Sequence, residues 1–241
     1  MTDRLEVTVL GCGSSGGVPR IGGPGGQGYW GACDPSNPKN RRRRCSILVQ
    51  RHAEAGTSTV LVDTSPDMRE QLIDARISQL DAVLITHDHA DQLHGLDDLR
   101  MVAMNMRRRV DVFSDAASFA GVMARFGYCF VQPTGSDYPP ILNAHQIAEP
   151  FAPFALGGAA LDERAFTALA GVECWIVDAL RYTPHPSHSH VARTLEWIER
   201  VKPKRAILTN LHVDLDYETL RRELPPTVEP AYDGMTISVD L

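Results

Sequence analysis

The segment ITHDHADQLHGLDDLR, residues 85–100, holds three histidines and four aspartates in sixteen residues, directly after the apolar run that begins at Ala82. This juxtaposition constrains the fold more than any other feature of the chain. A β-branched run ending in His-x-His must deliver both imidazoles to the rim of a sheet, and the pattern behind it must turn back as a helix. If the chain stays extended past Thr86, His87 and His89 point to the same side. Two imidazoles so placed can bind a borderline cation such as Zn²⁺, Mn²⁺ or Fe²⁺. Asp91 begins the turn into the next helix and is expected to reach the same cavity or a second ion. A lone histidine pair is more often structural. Three ligand-type residues between an apolar strand and a glycine-opened helix point instead to a metal site.

The rest of the chain alternates in the same way. Leu5–Leu10, Cys45–Gln50, Thr59–Asp63 and Ala82–Thr86 are β-rich runs flanked by polar residues or glycine. Ser65–Arg76 reads as a helix, with Ser65 as its cap and Pro66 at its first position. Gly95–Met106 reads as another, because Leu96, Leu99, Val102, Ala103 and Met106 follow helical spacing. Glu173–Asp178 and Arg205–Thr209 are further strands, and His190–Val201 is a helix stopped by Pro203. Strands alternating with helices predict an α/β architecture. With 241 residues, no tandem repeat and no low-complexity linker, a single domain over 1–241 is expected.

One stretch is compositionally unusual: ten of the 21 residues of Gly11–Gly31 are glycine. Gly11, Gly13 and Gly16 spell GxGxxG after a strand, but a dinucleotide site needs a helix to open at the third glycine. The sequence that follows, GVPRIGGPGGQG, cannot be helical. A loop whose backbone approaches a ligand or metal cleft is the better reading. The run Arg41–Arg44 reads as a solvated strand entry or as guanidinium groups near a phosphate.

Bulk properties narrow the class. The net charge of −6 argues against a general nucleic-acid binder. No apolar run of about 18 residues is present, and the N-terminus lacks the apolar core of a secretory signal, so no membrane span is expected. Five cysteines with no Cys-x-x-Cys pair indicate neither a disulfide framework nor a zinc ribbon, and a reducing cytoplasm is the expected location. Two later clusters share the character of the first. PHPSHSH carries His185, His188 and His190, and TNLHVDLD carries His212, Asp214 and Asp216. Each follows a strand, at the end where α/β sheets gather ligands. The chemistry expected is metal-assisted hydrolysis through metal-bound hydroxide, with His188 as the histidine that protonates a leaving oxygen.

These residues resemble a known family. THDHADQLHGLDDLR is similar to the His-x-His-x-Asp-His signature of the metallo-β-lactamase fold. The opening GCGSSGGVPRIGG, the segment NPKNRRRRCSILV, and the late PHPSH and LHVDLDYETL resemble one branch of it. That branch contains the cyclic phosphodiesterase of phosphonate breakdown and is related more distantly to tRNA 3′-processing nucleases. The resemblance implies an αβ/βα sandwich of two facing β-sheets with helices outside, and a dinuclear Zn²⁺ or Mn²⁺ site acting on phosphodiesters. His87 and His89 would serve the first metal. Asp91 would serve the second and take part in catalysis, and His188 would stand near the scissile phosphate. Ser14, Arg44 and His185 are candidate substrate contacts. The last metal histidine would fall at Asn210, with His212 two residues on as a substitute ligand.

Three departures from the pattern set further expectations. Gln92 replaces a second-metal histidine, and Asn210 another. Near residues 150–165 the hairpin that normally supplies a histidine and the bridging aspartate is expected to be missing. No histidine lies between His145 and His185, and Glu149, Asp162, Glu163 and Glu173 match no motif. Asp178 is set aside as a substitute bridge because its strand position already serves the sheet. The second metal site is therefore expected to be weak or empty. The function expected is hydrolysis of a small cyclic phosphodiester or nucleotide, not a long nucleic acid, with a homodimer as the default assembly. The alternative is a catalytically weakened member that binds a phosphate or nucleotide. Lactone or thioester hydrolysis on the same fold has no specific support.

Overall fold

A computed structural model of the chain describes residues 3–147 and 163–241. In chain order the elements are β1 (Arg4–Gly11), β2 (Ser46–Ala53), β3 (Gly56–Val62), α1 (Met68–Asp74), β4 (Ala82–Leu84), α2 (Ala90–Leu93), α3 (Leu99–Met106) and β5 (Val110–Ser114). They continue as α4 (Ala116–Phe130), β6 (Leu142–Gln146), α5 (Glu163–Leu169), β7 (Cys174–Asp178), α6 (Val191–Val201), β8 (Arg205–Thr209), α7 (Tyr217–Glu223), β9 (Val228–Pro230) and β10 (Met235–Asp240). The α/β class expected from the alternation is the class observed. The described residues form two compact units from discontinuous segments: those within 1–10, 45–150 and 234–241 in the first, and those within 11–44 and 151–233 in the second.

The first unit is built on a seven-stranded sheet in the order β10-β1-β2-β3-β4-β5-β6. β10 and β1 pair antiparallel, with Val9 opposite Met235, and β2 and β3 form a hairpin closing at Ala53 and Gly56. From β3 to β6 the pairs are parallel, with Val60 beside Ala82, Val83 beside Val112 and Val110 beside Leu142. The crossovers α1, α3 and α4 bury Met68, Leu72, Leu99, Val102 and Val122 with Leu61, Val83 and Leu142 of the sheet. Each large apolar side chain buried in this way contributes about 1.5–3 kcal/mol, and this parallel core holds the end of β4 in place.

Two helix boundaries differ from expectation. The helix expected from Ser65 begins at Met68, because Ser65, Pro66 and Asp67 form a turn instead. The buried Ser65 hydroxyl accepts from the Asp67 N–H (3.2 Å) and donates to Gln71 Oε1 (2.9 Å), which locks that turn. The helix expected from Gly95 opens as a 3₁₀ turn over Leu96–Asp98 before α3. The longest helix, α4, has Asp115 as its cap, accepting from the N–H groups of Ala117 (2.8 Å) and Ser118 (3.1 Å).

The second unit is built on the all-parallel sheet β7-β8-β9, with Trp175, Val177, Ala206 and Leu208 buried against Val191, Ile198 and Leu220 of α6 and α7. The arginine run is only partly solvated: Arg41 is exposed, while Arg43 and Arg44 are half-buried. Arg42 is 1% exposed, and its guanidinium donates to the carbonyls of Leu215 (2.7 Å) and His212 (3.3 Å) and to Asn40 Oδ1 (3.2 Å). Arg41 lies over the Trp30 ring, and Arg43 pairs with Asp233 at 3.1 Å. Much of the stretch expected to lack a hairpin, residues 148–162, lies outside the described residues; Glu163–Leu169 is the helix α5. Of the nearby carboxylates that are described, Glu163 pairs with Arg200 and Glu173 with Lys204 on the surface. Among the described residues, no helix is long and apolar enough to cross a membrane.

Candidate active site

In the first unit the chain leaves β4 extended, and His89 caps α2 with φ −66° and ψ 150°. The rings of His87 and His89 meet edge to face with centroids 4.6 Å apart, as expected of two side chains on one side of an extended segment. Behind them stands Asp63, which the sequence reading did not single out as a site residue. It follows β3 in a left-handed conformation (φ 63°), a geometry that aspartate tolerates better than most residues. Its carboxylate accepts from the N–H (2.8 Å) and the hydroxyl (2.7 Å) of Thr86. Thr86 Oγ1 in turn lies 3.0 Å from His87 Nδ1. With the hydroxyl proton directed to Asp63, the oxygen accepts from Nδ1–H and the ring's lone pair falls on Nε2, the form of imidazole that binds a metal.

Burial pushes the Asp63 carboxyl up to about 7, against the opposing hydrogen bonds from Thr86 and with the charge of Asp91 adding to the rise. The folded state therefore binds a proton that the unfolded chain has lost between about pH 4 and 7. Stability contributed by this group is fully present at the acid end of that window and falls as pH rises through it. Without metal, the urea midpoint should drop from pH 5 to pH 8, and Asp63→Asn should flatten that drop, as measured by denaturation in the presence of a chelator.

Asp91 sits in the first turn of α2, where the buried Gln92 donates from Nε2 to Asp91 Oδ2 at 3.1 Å. An amide N–H thus faces the carboxylate where a histidine would have offered a lone pair. Asp88, between the two histidines, is held from α4: Arg125 donates to its carbonyl and to its carboxylate. A Cβ built on Gly121 would stand 2.1 Å from Asp88 Oδ2, so only glycine allows this approach. Gly121→Ala should cost about 1–3 kcal/mol by overpacking. Gly127→Ala, with nothing within 4 Å, should not, and chemical denaturation of both variants checks this.

In the second unit Asp178, at the end of β7, organises the late cluster. Its carboxylate accepts from Ser189 N–H (2.9 Å) and Asn210 Nδ2 (2.8 Å), and lies 3.3 Å from His188 Nδ1. Asn210 follows β8 at φ 62° and lies 3.2 Å from the same ring nitrogen. Asp178 is thus a positioning residue for His188. His185 is half-buried, with its ring centroid 5.3 Å from that of His188. Its pKa is lowered by desolvation and then by the neighbouring His188 and Arg181. His212 is engaged through Nδ1 with Asp214 Oδ1 at 2.8 Å. Ser14 lies in the glycine loop beside this strand end, its N–H donating to Leu211 O at 3.3 Å. Its hydroxyl is buried and has no hydrogen-bond partner among the described residues, an arrangement that a ligand oxygen would complete. Arg44 is half-buried and bridges Gly13 through the backbone.

Among the described residues, no group of three or more histidine, cysteine, aspartate or glutamate side chains is arranged to hold a metal ion. The donors that fit one are the paired imidazoles of His87 and His89, two of the four a tetrahedral cation takes. Asp91 would join them by releasing the Gln92 amide. Asp63 carries the signal that could have revealed it, since it directly follows an apolar strand, as Asn210 does.

A family model described as a β-lactamase superfamily domain matches residues 58–169. An octanoyltransferase of Porphyromonas gingivalis is 30% identical over 270 residues, covering 98% of this chain and 52% of that protein. The chain thus spans about half the length of that curated relative. An alignment of 270 positions against 241 residues leaves at least 29 positions of the relative without a counterpart here. Among solved structures, a new diphosphatase of the PhnP family is 28% identical with a TM-score of 0.84, covering 100% of this chain and 99% of that one. Zn²⁺-bound PqqB from Methylobacterium extorquens (15% identity, TM-score 0.69, covering 96% and 99%) shares the fold. So does the short form of human tRNase Z (13% identity, TM-score 0.61, covering 98% and 100%). Residues 58–169 thus resemble a β-lactamase superfamily domain, and the chain has the metallo-β-lactamase fold of these solved structures.

Proposed function

We propose that this chain is a metal-dependent hydrolase of a small phosphodiester, such as a cyclic phosphate or a nucleotide. The observation that carries the reading is the hydrogen-bonded series Asp63–Thr86–His87, an outer support that a metal-binding imidazole needs and a surface histidine does not. His87 and His89 would hold the cation, Zn²⁺ or Mn²⁺, with Asp91 as third donor. A bound divalent ion lowers the pKa of its water toward neutrality and polarises a phosphoryl oxygen.

The chain's own groups supply the rest. His188 Nδ1 lies 3.3 Å from the Asp178 carboxylate and 3.2 Å from Asn210 Nδ2, which fixes that ring and leaves Nε2 to carry the proton for the leaving oxygen. The buried Ser14 hydroxyl, Arg44 and His185 are assigned to the substrate's phosphate. The acidic chain favours a small substrate over a long nucleic acid. A cytoplasmic homodimer is the corresponding cellular form. Octanoyl transfer is not assigned to the chain, because it spans only 52% of the relative that bears that name.

His188→Gln should lower turnover of bis-p-nitrophenyl phosphate by about 10²–10⁴-fold and remove the alkaline limb of the pH–rate profile. Unchanged turnover would exclude the assigned role. A second reading has its own support. Gln92 directed at Asp91, with no three-donor group among the described residues, fits a weakened member that binds phosphate ligands without efficient turnover. Metal supplementation that restores ligand binding but no hydrolysis would favour that reading.

A further inference from the structure

Helix α4 departs from helical geometry at Phe126 (φ −123°, ψ 19°), immediately before Gly127. Beyond this kink, Tyr128 and Cys129 line a cavity of about 380 Å³ in the first unit. Arg100 of α3 and Ser136, Tyr138 and Ile141 of the following segment complete most of its wall. No residue of the histidine clusters takes part. The volume falls within the range of small-molecule sites, about 300–1,000 Å³.

The lining divides chemically. Two tyrosines, Ile141 and two prolines present apolar, planar-favouring surface. Tyr128 and Tyr138 are nonetheless 46% and 75% exposed, so their rings are not used up by the core. Arg100 supplies the charge. Asp97 accepts from its Nη2 at 2.7 Å and from Cys129 Sγ at 3.6 Å, which fixes the guanidinium while engaging one edge of its fork. The remaining N–H donors suit one anionic group. The loop is shaped by its own hydrogen bonds: Ser136 N–H donates to Pro133 O (3.0 Å) and Tyr138 N–H to Ser136 Oγ (3.2 Å). A wall held in this way loses little freedom on binding.

We propose that this cavity is a second small-molecule site, taking a planar aromatic ring that bears one anionic group. Tyr128 and Tyr138 would flank the ring and Arg100 would bind the anion. The proposal does not rest on the hydrolase reading. Its test is calorimetric titration of the full chain, with chelator present, using adenosine 5′-monophosphate, phenyl phosphate, adenosine and inorganic phosphate as probes. At least one ring-bearing phosphate should bind, and adenosine and inorganic phosphate at least about tenfold more weakly. Binding of both ring phosphates marks a general aromatic-anion site, and binding of the nucleotide alone narrows the class to nucleotides. Tyr138→Ala, at an exposed position, and Arg100→Lys should each weaken binding by about tenfold or more. The double variant His87→Ala/His89→Ala should bind as the parent does. No binding by either ring phosphate, equal binding of adenosine, binding unaltered by Tyr138→Ala, or loss in the double variant would overturn the proposal.

Discussion

Replacing Arg42 with methionine is expected to lower stability by about 3–4 kcal/mol, a large share of the roughly 5–15 kcal/mol that holds an ordinary domain together. Its guanidinium satisfies the carbonyls of Leu215 and His212 and the Asn40 side chain from a position that is 1% exposed. Methionine fills comparable volume but donates nothing, so buried acceptors lose partners at about 1–3 kcal/mol each, partly offset by removing a buried charge. Asn40 would feel the change, since its Oδ1 also accepts from Tyr217 N–H at 2.8 Å and its Nδ2 donates to Asp216 Oδ2 at 2.7 Å. Against the cost of desolvation, hydrogen bonds from the Thr219 N–H, the Asn40 amide and the Asp34 N–H hold the Asp216 carboxyl down at about 2. Arg41→Met is the control: that side chain lies over Trp30, and its loss should cost no more than about 1 kcal/mol. Urea denaturation of the two variants decides the matter, and equal midpoints would refute the role given to Arg42.

The second large effect is on chemistry. His87→Ala and His89→Ala should each lower phosphodiester turnover by about a thousandfold or more, because several kcal/mol of metal-derived stabilisation is lost with the ion. Thr86→Val should act in the same direction but less strongly, about 10–100-fold in metal affinity. It leaves both imidazoles in place and removes only the hydroxyl between Asp63 and His87 Nδ1. A Thr86→Val protein with parental metal affinity would show that the hydrogen-bonded support is incidental.

Much of this site can be read in the chain before any coordinates. An apolar run followed by His-x-His-x-Asp is expected where a strand leaves its sheet, and β4 ends just before that motif. The Pro203 stop and the apolar face of His190–Val201 likewise place α6 to within a residue. What stays hidden is set by tertiary partners. Nothing local distinguishes the buried Arg42 from Arg41 beside it, because burial of a guanidinium depends on carbonyls some 170 positions away. Asp63 looks like a polar strand end until Thr86 is seen to occupy both its oxygens. The start of α1 moved because Ser65 bonds to Gln71 rather than capping the helix. The expected loss of the hairpin near residues 150–165 falls largely on residues 148–162, outside those described.

The central claim is that the His87–His89 pair is a working metal site. Metal content per chain, measured by elemental mass spectrometry after Zn²⁺ or Mn²⁺ loading and dialysis, tests it most directly. About one equivalent in the parent chain, lost in His89→Ala, is the predicted result. Near-zero metal in the parent chain, or an equivalent retained after His89→Ala, would contradict it.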